Sequence, residues 1–181
     1  MNVFLYTTIS EELKESELVV DETNINSIVK KLESLYTRIL PEKKCIPDSV
    51  EDVEISLSVI TASEIKKVNA EYRDVDNPTD VLSFPLWENE EGLFVPPVDW
   101  DVLPLGDLLI CLEEVQKNAI VNKKTFEEEL VLIISHGLLH LIGRDHDTDE
   151  KKESMWAEQD KIVEEYIKDK TKFTEVCNEQ L

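Results

Sequence analysis

The chain has 181 residues, with 40 acidic and 19 basic side chains and a formal net charge of −21 at pH 7. This length suits one domain with its own core, and the 4 glycines, 7 prolines and 41% hydrophobic residues exclude a collagen-like or low-complexity chain. The negative charge repels polyanions, so it argues against a protein that coats nucleic acid non-specifically. A nuclease that binds phosphate through a metal ion and a few cations remains compatible with this charge.

Cysteine usage and hydropathy indicate a cytoplasmic protein without a membrane segment. Cys45, Cys111 and Cys177 are odd in number and widely spaced, which excludes a disulfide-stapled scaffold and fits a reducing compartment. The longest apolar stretch, residues 130–142, is too short to span a membrane and contains two histidines. The N-terminal segment lacks the basic region of a secretory signal, so we expect none.

The first half of the chain predicts a strand (residues 1–8), a helix (24–40), a second strand (53–59) and a second helix (61–72). Apolar and polar side chains alternate in the strands, most clearly in the second one, and the first helix has apolar residues at helical spacing. Pro41 ends this first helix. Thr61 and Glu64 form a capping box that begins the second helix.

The second half predicts a short strand (residues 81–84) stopped by Pro85, a loop (86–104) and another strand (106–111). Three helices follow, over residues 112–122, 125–141 and 148–168. The loop, irregular or an extended hairpin, has five acidic residues and no basic one. Thr125 and Glu128 form a second capping box, and Gly143 stands where a glycine follows a helix end. One face of the last helix is expected to pack in the core, through Met155, Gln159, Ile162, Val163 and Tyr166.

All three histidines of the chain lie within eleven residues, where His136, His140 and His146 form the pattern HxxxHxxGxxH. Side chains four residues apart share a helix face, so the first two can bind one ion, and Gly143 permits a turn that returns the third. Three nitrogen ligands with an open fourth position are typical of a catalytic zinc site. We therefore predict one metal ion per chain, zinc by default, since other first-row divalent metals also suit three imidazoles.

Together these elements predict an α/β (α+β) fold, a small mixed β-sheet of about four strands packed by about five helices. The metal site is expected on a central helix and in the turn after it. The chain shows no internal repeat and no linker, so residues 1–168 are expected to form a single domain that includes the acidic loop at residues 86–104. Residues 169–181 are expected to form a frayed C-terminal tail.

The histidine spacing also matches the zinc-protease motif HExxHxxGxxH, but Gly137 stands where those proteases have the glutamate that serves as general base. This difference argues against peptide hydrolysis, unless Asp145, Asp147 or Glu129 supplies the base. A metalloprotease, or another metallohydrolase that uses the same three histidines, therefore stays as an alternative.

Four motifs carry a resemblance to a known family: residues 69–73 (NAEYR), 78–85 (PTDVLSFP), 105–107 (LGD) and 136–146 (HGLLHLIGRDH). In these motifs and in their order the chain resembles the YbeY-type endoribonucleases, which are involved in ribosomal RNA maturation in bacteria. The motifs span somewhat under half of the chain. Arg144 departs from the family, which usually has an aromatic residue there, and the acidic loop looks specific to this chain.

The resemblance implies a metal-dependent, single-strand-specific endoribonuclease in rRNA maturation, including 16S rRNA 3′ end processing, and in ribosome quality control. It implies that His136, His140 and His146 hold the metal, and that Arg73 and His136 are catalytic, with Arg73 facing the same cleft. A guanidinium can bind phosphate oxygens bidentately and stabilise charge in the transition state. The expected partners are rRNA as substrate and ribosomal proteins or ribosome-associated factors, with no DNA and no membrane.

The sequence leaves a non-enzymatic alternative and the role of Asp145 open. A ribosome assembly factor with a structural metal and no catalysis is a second alternative, because the charge of −21 favours docking to a basic protein. Asp145 is expected either to orient an imidazole or to be a solvated carboxylate of the turn. Ser83 is expected on an edge strand that forms a wall of the cleft, and no histidine is left over to activate it as a nucleophile.

Overall fold

A four-stranded mixed sheet forms the centre of the structure, a computed structural model that describes residues 1–15 and 21–178, with side chains as far as residue 169. In spatial order the strands are β1 (Asn2–Ile9), β2 (Asp52–Val59), β4 (Val102–Ile110) and β3 (Val81–Pro85). β1, β2 and β4 are parallel, and β3 is antiparallel to β4. β3 is therefore an edge strand, as predicted.

Six α-helices surround this sheet in the described part of the chain: α1 (Glu11–Lys14), α2 (Glu22–Ile39), α3 (Ala62–Arg73), α4 (Leu112–Asn122), α5 (Phe126–Leu141) and α6 (Asp149–Asn178). The predicted mixed α/β fold of about four strands and five helices is confirmed. The additional helix is α1, whose four residues are too few to show helical periodicity. Both predicted capping boxes are present, at the start of α3 and of α5.

α5 is the central helix and the one that carries the first two histidines. It packs against β3, β4, α4 and α6, so apolar side chains are needed on nearly all of its faces. Its buried apolar side chains include Leu130, Val131, Ile134, Leu138, Leu139 and Leu141. Within the described residues, no helix combines the length and the apolar character that crossing a membrane requires.

β4 begins at Val102, four residues before the predicted start, so the acidic loop ends at residue 101 rather than 104. Pro104 and Gly106 normally interrupt strands, which is why the pattern predicted a loop here. A bulge accommodates them, because Glu54 pairs with Pro104 and the next residue of β2, Ile55, pairs with Gly106. The extra residue in β4 keeps the strand continuous through the bulge.

Gly106→Ala is expected to lower the free energy of unfolding by about 2–4 kcal/mol. Gly106 has a φ of +140°, and a Cβ there would lie 2.2 Å from the carbonyl oxygen of Phe84 on the neighbouring strand. Urea unfolding of the purified variant measures the change. Gly92→Ala is the matched control, since its φ is +74° but its Cβ would meet only Glu88 Oε1 at 3.6 Å. Equal losses in the two variants would contradict the steric argument.

The last helix starts within a residue of its predicted beginning but continues to Asn178, past the predicted end at residue 168. The sequence after residue 168 contains no glycine or proline that would stop a helix. The predicted tail is therefore helical as far as residue 178, and residues 179–181 lie outside the described part. Cys45 and Cys111 are free thiols, Cys111 fully buried, and the side chain of Cys177 lies beyond the described ones.

Candidate metal centre

The three histidines converge at the C-terminal end of α5 and the turn after it. One nitrogen from each ring can be chosen so that the three atoms lie within 4.8 Å of one another. The Nε2 atoms of His136 and His140 are 3.2 Å apart, which is near the spacing of about 3.3 Å expected for two nitrogens bound to one tetrahedral zinc ion. The centre of the His146 ring lies 5.6 Å from the centre of the His136 ring and 5.1 Å from that of the His140 ring. This donor set fits one metal ion.

Burial keeps two of the three imidazoles in the neutral form that binds metals. Burial lowers the pKa of His136, and the hydrogen bond to Gln159 partly opposes this. The pKa of His140 is lowered to about 4, chiefly by burial and then by electrostatic repulsion from the other two imidazoles. Metal ions bind the unprotonated ring, so at neutral pH these nitrogens need not lose a proton first.

The metal-free protein is expected to lose stability as the pH falls from about 6.5 towards 4. His140 has a pKa of about 4 in the folded state, against an ordinary value of 6.5, so the unfolded state binds the proton more tightly. The stabilisation of the folded state that comes from the lowered pKa of His140 is therefore complete above pH 6.5 and is lost as the pH falls to 4. We expect the Tm of EDTA-treated His140→Asn to fall less steeply over this range than that of wild type. Met155→Leu, which is buried on α6 and changes no titratable group, is the control, and equal slopes in wild type and His140→Asn would contradict the prediction.

Gly137 faces the sheet. A Cβ at this position would lie 2.7 Å from Leu108 Cδ2 and 3.3 Å from Ser83 Oγ. A larger side chain would therefore displace the contact between α5 and the two strands β3 and β4. The position that carries the general base in zinc proteases is a packing position in this protein.

The three other carboxylates considered as a base are engaged elsewhere. Glu129 is buried and accepts a hydrogen bond from Asn122 Nδ2 at 2.9 Å, about 10 Å along α5 from His136. Asp147 pairs with Lys151 at 2.9 Å. Asp145 Oδ1 accepts from the backbone N–H of His146 at 2.7 Å, so it holds the turn and does not hydrogen-bond an imidazole among the described contacts.

Arg73 lines the same cleft as the three histidines, an open cavity of about 600 Å³. It is the last residue of α3, and Asp74 ends the helix in the left-handed conformation. The loop that follows is held by buried Asn69, whose Nδ2 donates to the carbonyl oxygen of Asn77 at 2.8 Å. Asn69 and Arg73 belong to the same sequence motif, in which Asn69 holds the loop after α3 and Arg73 lines the cleft.

Arg73 differs from the other two arginines in its pairing. Arg38 is paired with Asp169, and Arg144 donates to Glu158 at 3.1 Å. Among the described residues Arg73 makes no ion pair, although the chain has 40 acidic side chains. An unpaired guanidinium in a cleft is available to an anionic ligand.

Edge strand β3 forms one wall of the cleft, which is lined by Val81, Leu82 and Ser83. Its start is anchored by Asp80, which accepts from the backbone N–H of Val81 at 2.8 Å and from Asn118 Nδ2 at 2.9 Å. The predicted wall is confirmed.

The acidic loop at residues 86–101 borders the site from the other side. Glu88 and Phe94 form an isolated antiparallel bridge, so part of the loop is a short hairpin. Phe94 packs on Gly143, where an added Cβ would lie 2.6 Å from Phe94 Cβ. A smaller cavity of about 230 Å³ lies between this hairpin and the histidine turn, lined by Arg73, Glu88, Gly92, His140, Arg144 and His146.

Gln159 is the residue that the sequence reasoning missed. Met155, Ile162 and Tyr166 of α6 are buried in the core, as predicted. Gln159 shares their face and is also buried, but its side-chain oxygen lies 3.0 Å from Nδ1 of His136. The available signal was an amide in an otherwise apolar stripe.

Comparison with known proteins gives consistent matches. The family model described as Endoribonuclease YbeY matches residues 14–167. A protein named Endoribonuclease YbeY from Caldanaerobacter subterraneus subsp. tengcongensis is 36% identical over 136 residues, which cover 74% of this chain and 86% of that protein. The protein of the same name from Bacillus subtilis (strain 168) is 34% identical over 156 residues, which cover 82% and 93%.

A solved structure is also similar. The solution structure of TM1509 from Thermotoga maritima superposes with a TM-score of 0.58 and 28% sequence identity, over 93% of each chain. The similarity therefore extends well beyond the four sequence motifs, to the arrangement of nearly all the elements.

Proposed function

Because this chain belongs to the Endoribonuclease YbeY family, we propose that it is a metal-dependent endoribonuclease. In this proposal it cleaves single-stranded RNA in the maturation of ribosomal RNA, including 16S rRNA 3′ end processing, and acts in ribosome quality control. One observation carries the proposal. Three histidine nitrogens that could hold a metal ion share a cleft with Arg73, which makes no ion pair among the described residues.

Each site residue has one role. His136, His140 and His146 hold one divalent ion, zinc by default, and His136 is catalytic in the sense that it binds this ion. When bound, such an ion supplies Lewis-acid chemistry, polarising phosphate oxygens and making water more acidic. Arg73 binds the non-bridging phosphate oxygens and stabilises the charge that grows on them during cleavage.

The cleft also supports the preference for a single strand. Its open volume of about 600 Å³ lies between α5, α6 and edge strand β3, and the acidic hairpin stands at its other border. With a net charge of −21, the surface outside the cleft repels a phosphate backbone. A flexible single strand can enter locally, while a rigid duplex has to bring many more phosphates near the carboxylates.

We propose that ribosomal proteins or ribosome-associated factors are its protein partners and that it acts in the cytoplasm. The acidic loop combines carboxylates with exposed apolar side chains, among them Leu93, Val95 and Val98. Such a surface suits a basic protein. The free thiols of Cys45 and Cys111 suit a reducing compartment.

The function is tested with a short single-stranded RNA and with the same RNA annealed to its complement. We expect the metal-loaded protein to cleave the single strand, with activity lost on chelation and restored by zinc. Analysis of the product ends separates attack by water from attack by the 2′-OH, since only the latter leaves a 2′,3′-cyclic phosphate. Cleavage of casein that His140→Ala abolishes would favour the metalloprotease, and a metal-loaded protein that cleaves no RNA would favour the assembly factor.

A further inference from the structure

Gln159 connects the last helix to the metal site through one hydrogen bond. Its Oε1 lies 3.0 Å from Nδ1 of His136, and its side chain is only 7% exposed. α6 packs against α5, so the backbone on both sides of this bond is held in place. A buried amide at this distance from a ring nitrogen restricts what that nitrogen can do.

The amide oxygen can only accept, so the Nδ1 atom of His136 has to carry the proton. A neutral imidazole that carries its proton on Nδ1 presents a lone pair at Nε2. That Nε2 atom is the one that lies 3.2 Å from Nε2 of His140. The hydrogen bond from α6 therefore selects the tautomer of His136 whose lone pair points to the centre of the donor set.

The opposite tautomer would be unsuitable for metal binding. With the proton on Nε2, His136 would direct an N–H group at the neighbouring ring nitrogen and offer no lone pair to an ion between them. If the Gln159 oxygen that accepts from Nδ1 is removed, both tautomers of His136 become available. Molecules with the proton on Nε2 then have to shift it before an ion can bind.

We propose that Gln159 is a positioning residue that holds His136 in its Nδ1-protonated tautomer and in the ring orientation that metal binding needs. The metal part of this inference rests on the proposed function, whereas the tautomer part does not. Partners of metal-binding histidines typically change metal affinity by about 10–100-fold when they are removed. We expect removal of the Gln159 amide to weaken metal binding by a factor of the same size.

The first measurement is the tautomer of His136 in metal-free protein, read from long-range ¹H–¹⁵N correlation spectra at neutral pH. In wild type we expect the proton on Nδ1. Gln159→Leu, which removes the acceptor, is expected to show a mixture of the two tautomers or mainly the Nε2-protonated one. Gln159→Glu, whose carboxylate also accepts, is expected to restore the wild-type pattern.

The second measurement is the affinity for Zn²⁺ alone, determined by competition with a chromophoric chelator. We expect Gln159→Leu to bind about 10–100-fold more weakly than wild type and Gln159→Glu to recover most of the loss. Met155→Leu is the matched control, because Met155 is buried one turn earlier on the same helix but does not line the cleft. Its affinity is expected to be unchanged. If Gln159→Leu does not fold, Gln159→Met replaces it, since its side chain has a similar length.

The outcomes separate this inference from the proposed function. Wild-type tautomer and wild-type affinity in Gln159→Leu would overturn the role of Gln159. A loss of affinity that Gln159→Glu fails to restore would assign Gln159 to packing, which also overturns it. If wild type itself binds no zinc, the proposed function fails, and the NMR comparison still decides the tautomer.

Discussion

Arg73→Ala is expected to lower kcat/KM for cleavage of single-stranded RNA by about 10²–10³-fold while the protein keeps its metal ion. The guanidinium lines the histidine cleft, and among the described residues it has no ion pair to keep it from a phosphate. Since it contributes no ligand to the donor set, its removal leaves metal binding intact. Cleavage rate and metal content are measured on the same preparation.

Two other arginine variants make this result specific. Arg38→Ala removes an arginine of α2 that is paired with Asp169, so cleavage is expected to stay at the wild-type rate. Arg73→Lys keeps the charge but loses the planar pair of donors, and an intermediate rate is expected. If wild type and Arg73→Ala preparations cut equally well, the cleavage comes from a contaminating nuclease or does not use Arg73, and the assigned role fails.

His140→Ala is expected to weaken zinc binding by at least about 10³-fold and to reduce RNA cleavage to background, because it removes one of three ligands. In wild type, zinc at about 100 times its Kd should raise the free energy of unfolding by about 2.7 kcal/mol. For a protein of this size that corresponds to a Tm increase of about 5–10 °C. This increase should disappear in His140→Ala and persist in Arg73→Ala, since only the former loses a ligand.

Thermal unfolding with and without zinc also decides between a catalytic and a structural metal. The core consists of apolar residues from the sheet and from α2, α5 and α6, and the histidines lie at its edge. The metal-free protein is therefore expected to keep its secondary structure and a cooperative unfolding transition. Loss of that transition on chelation would support a structural metal and the assembly-factor alternative. A zinc-dependent Tm increase of wild-type size in His140→Ala would contradict the assigned ligand set.

Much of the fold could be predicted because its elements are encoded locally. Strand β2 alternates without interruption, and its burial alternates in the same register. The capping boxes at Thr61 and Thr125 place two helix starts within one residue, since all their hydrogen bonds lie inside a four-residue window. The start of β4 was predicted wrongly because a tertiary contact overrides local preference there, where a bulge against β2 keeps the unfavourable Pro104–Gly106 sequence in a strand.

The sequence by itself determined that three histidines come together, because the geometry of this cluster is local. His136 and His140 are one turn apart on α5, and the positive φ of Gly143, +77°, lets the chain return towards His146. No long-range contact is needed to infer that these three side chains can meet.

Only the tertiary structure decided what surrounds the three histidines. Arg73 and Gln159 reach the site from α3 and α6, and the acidic hairpin reaches it through Phe94. Gly137, which a sequence motif would align with a catalytic glutamate, faces β3 and β4. These placements depend on how helices pack on the sheet, and that packing is a sum of many weak long-range contacts that no short window of sequence contains.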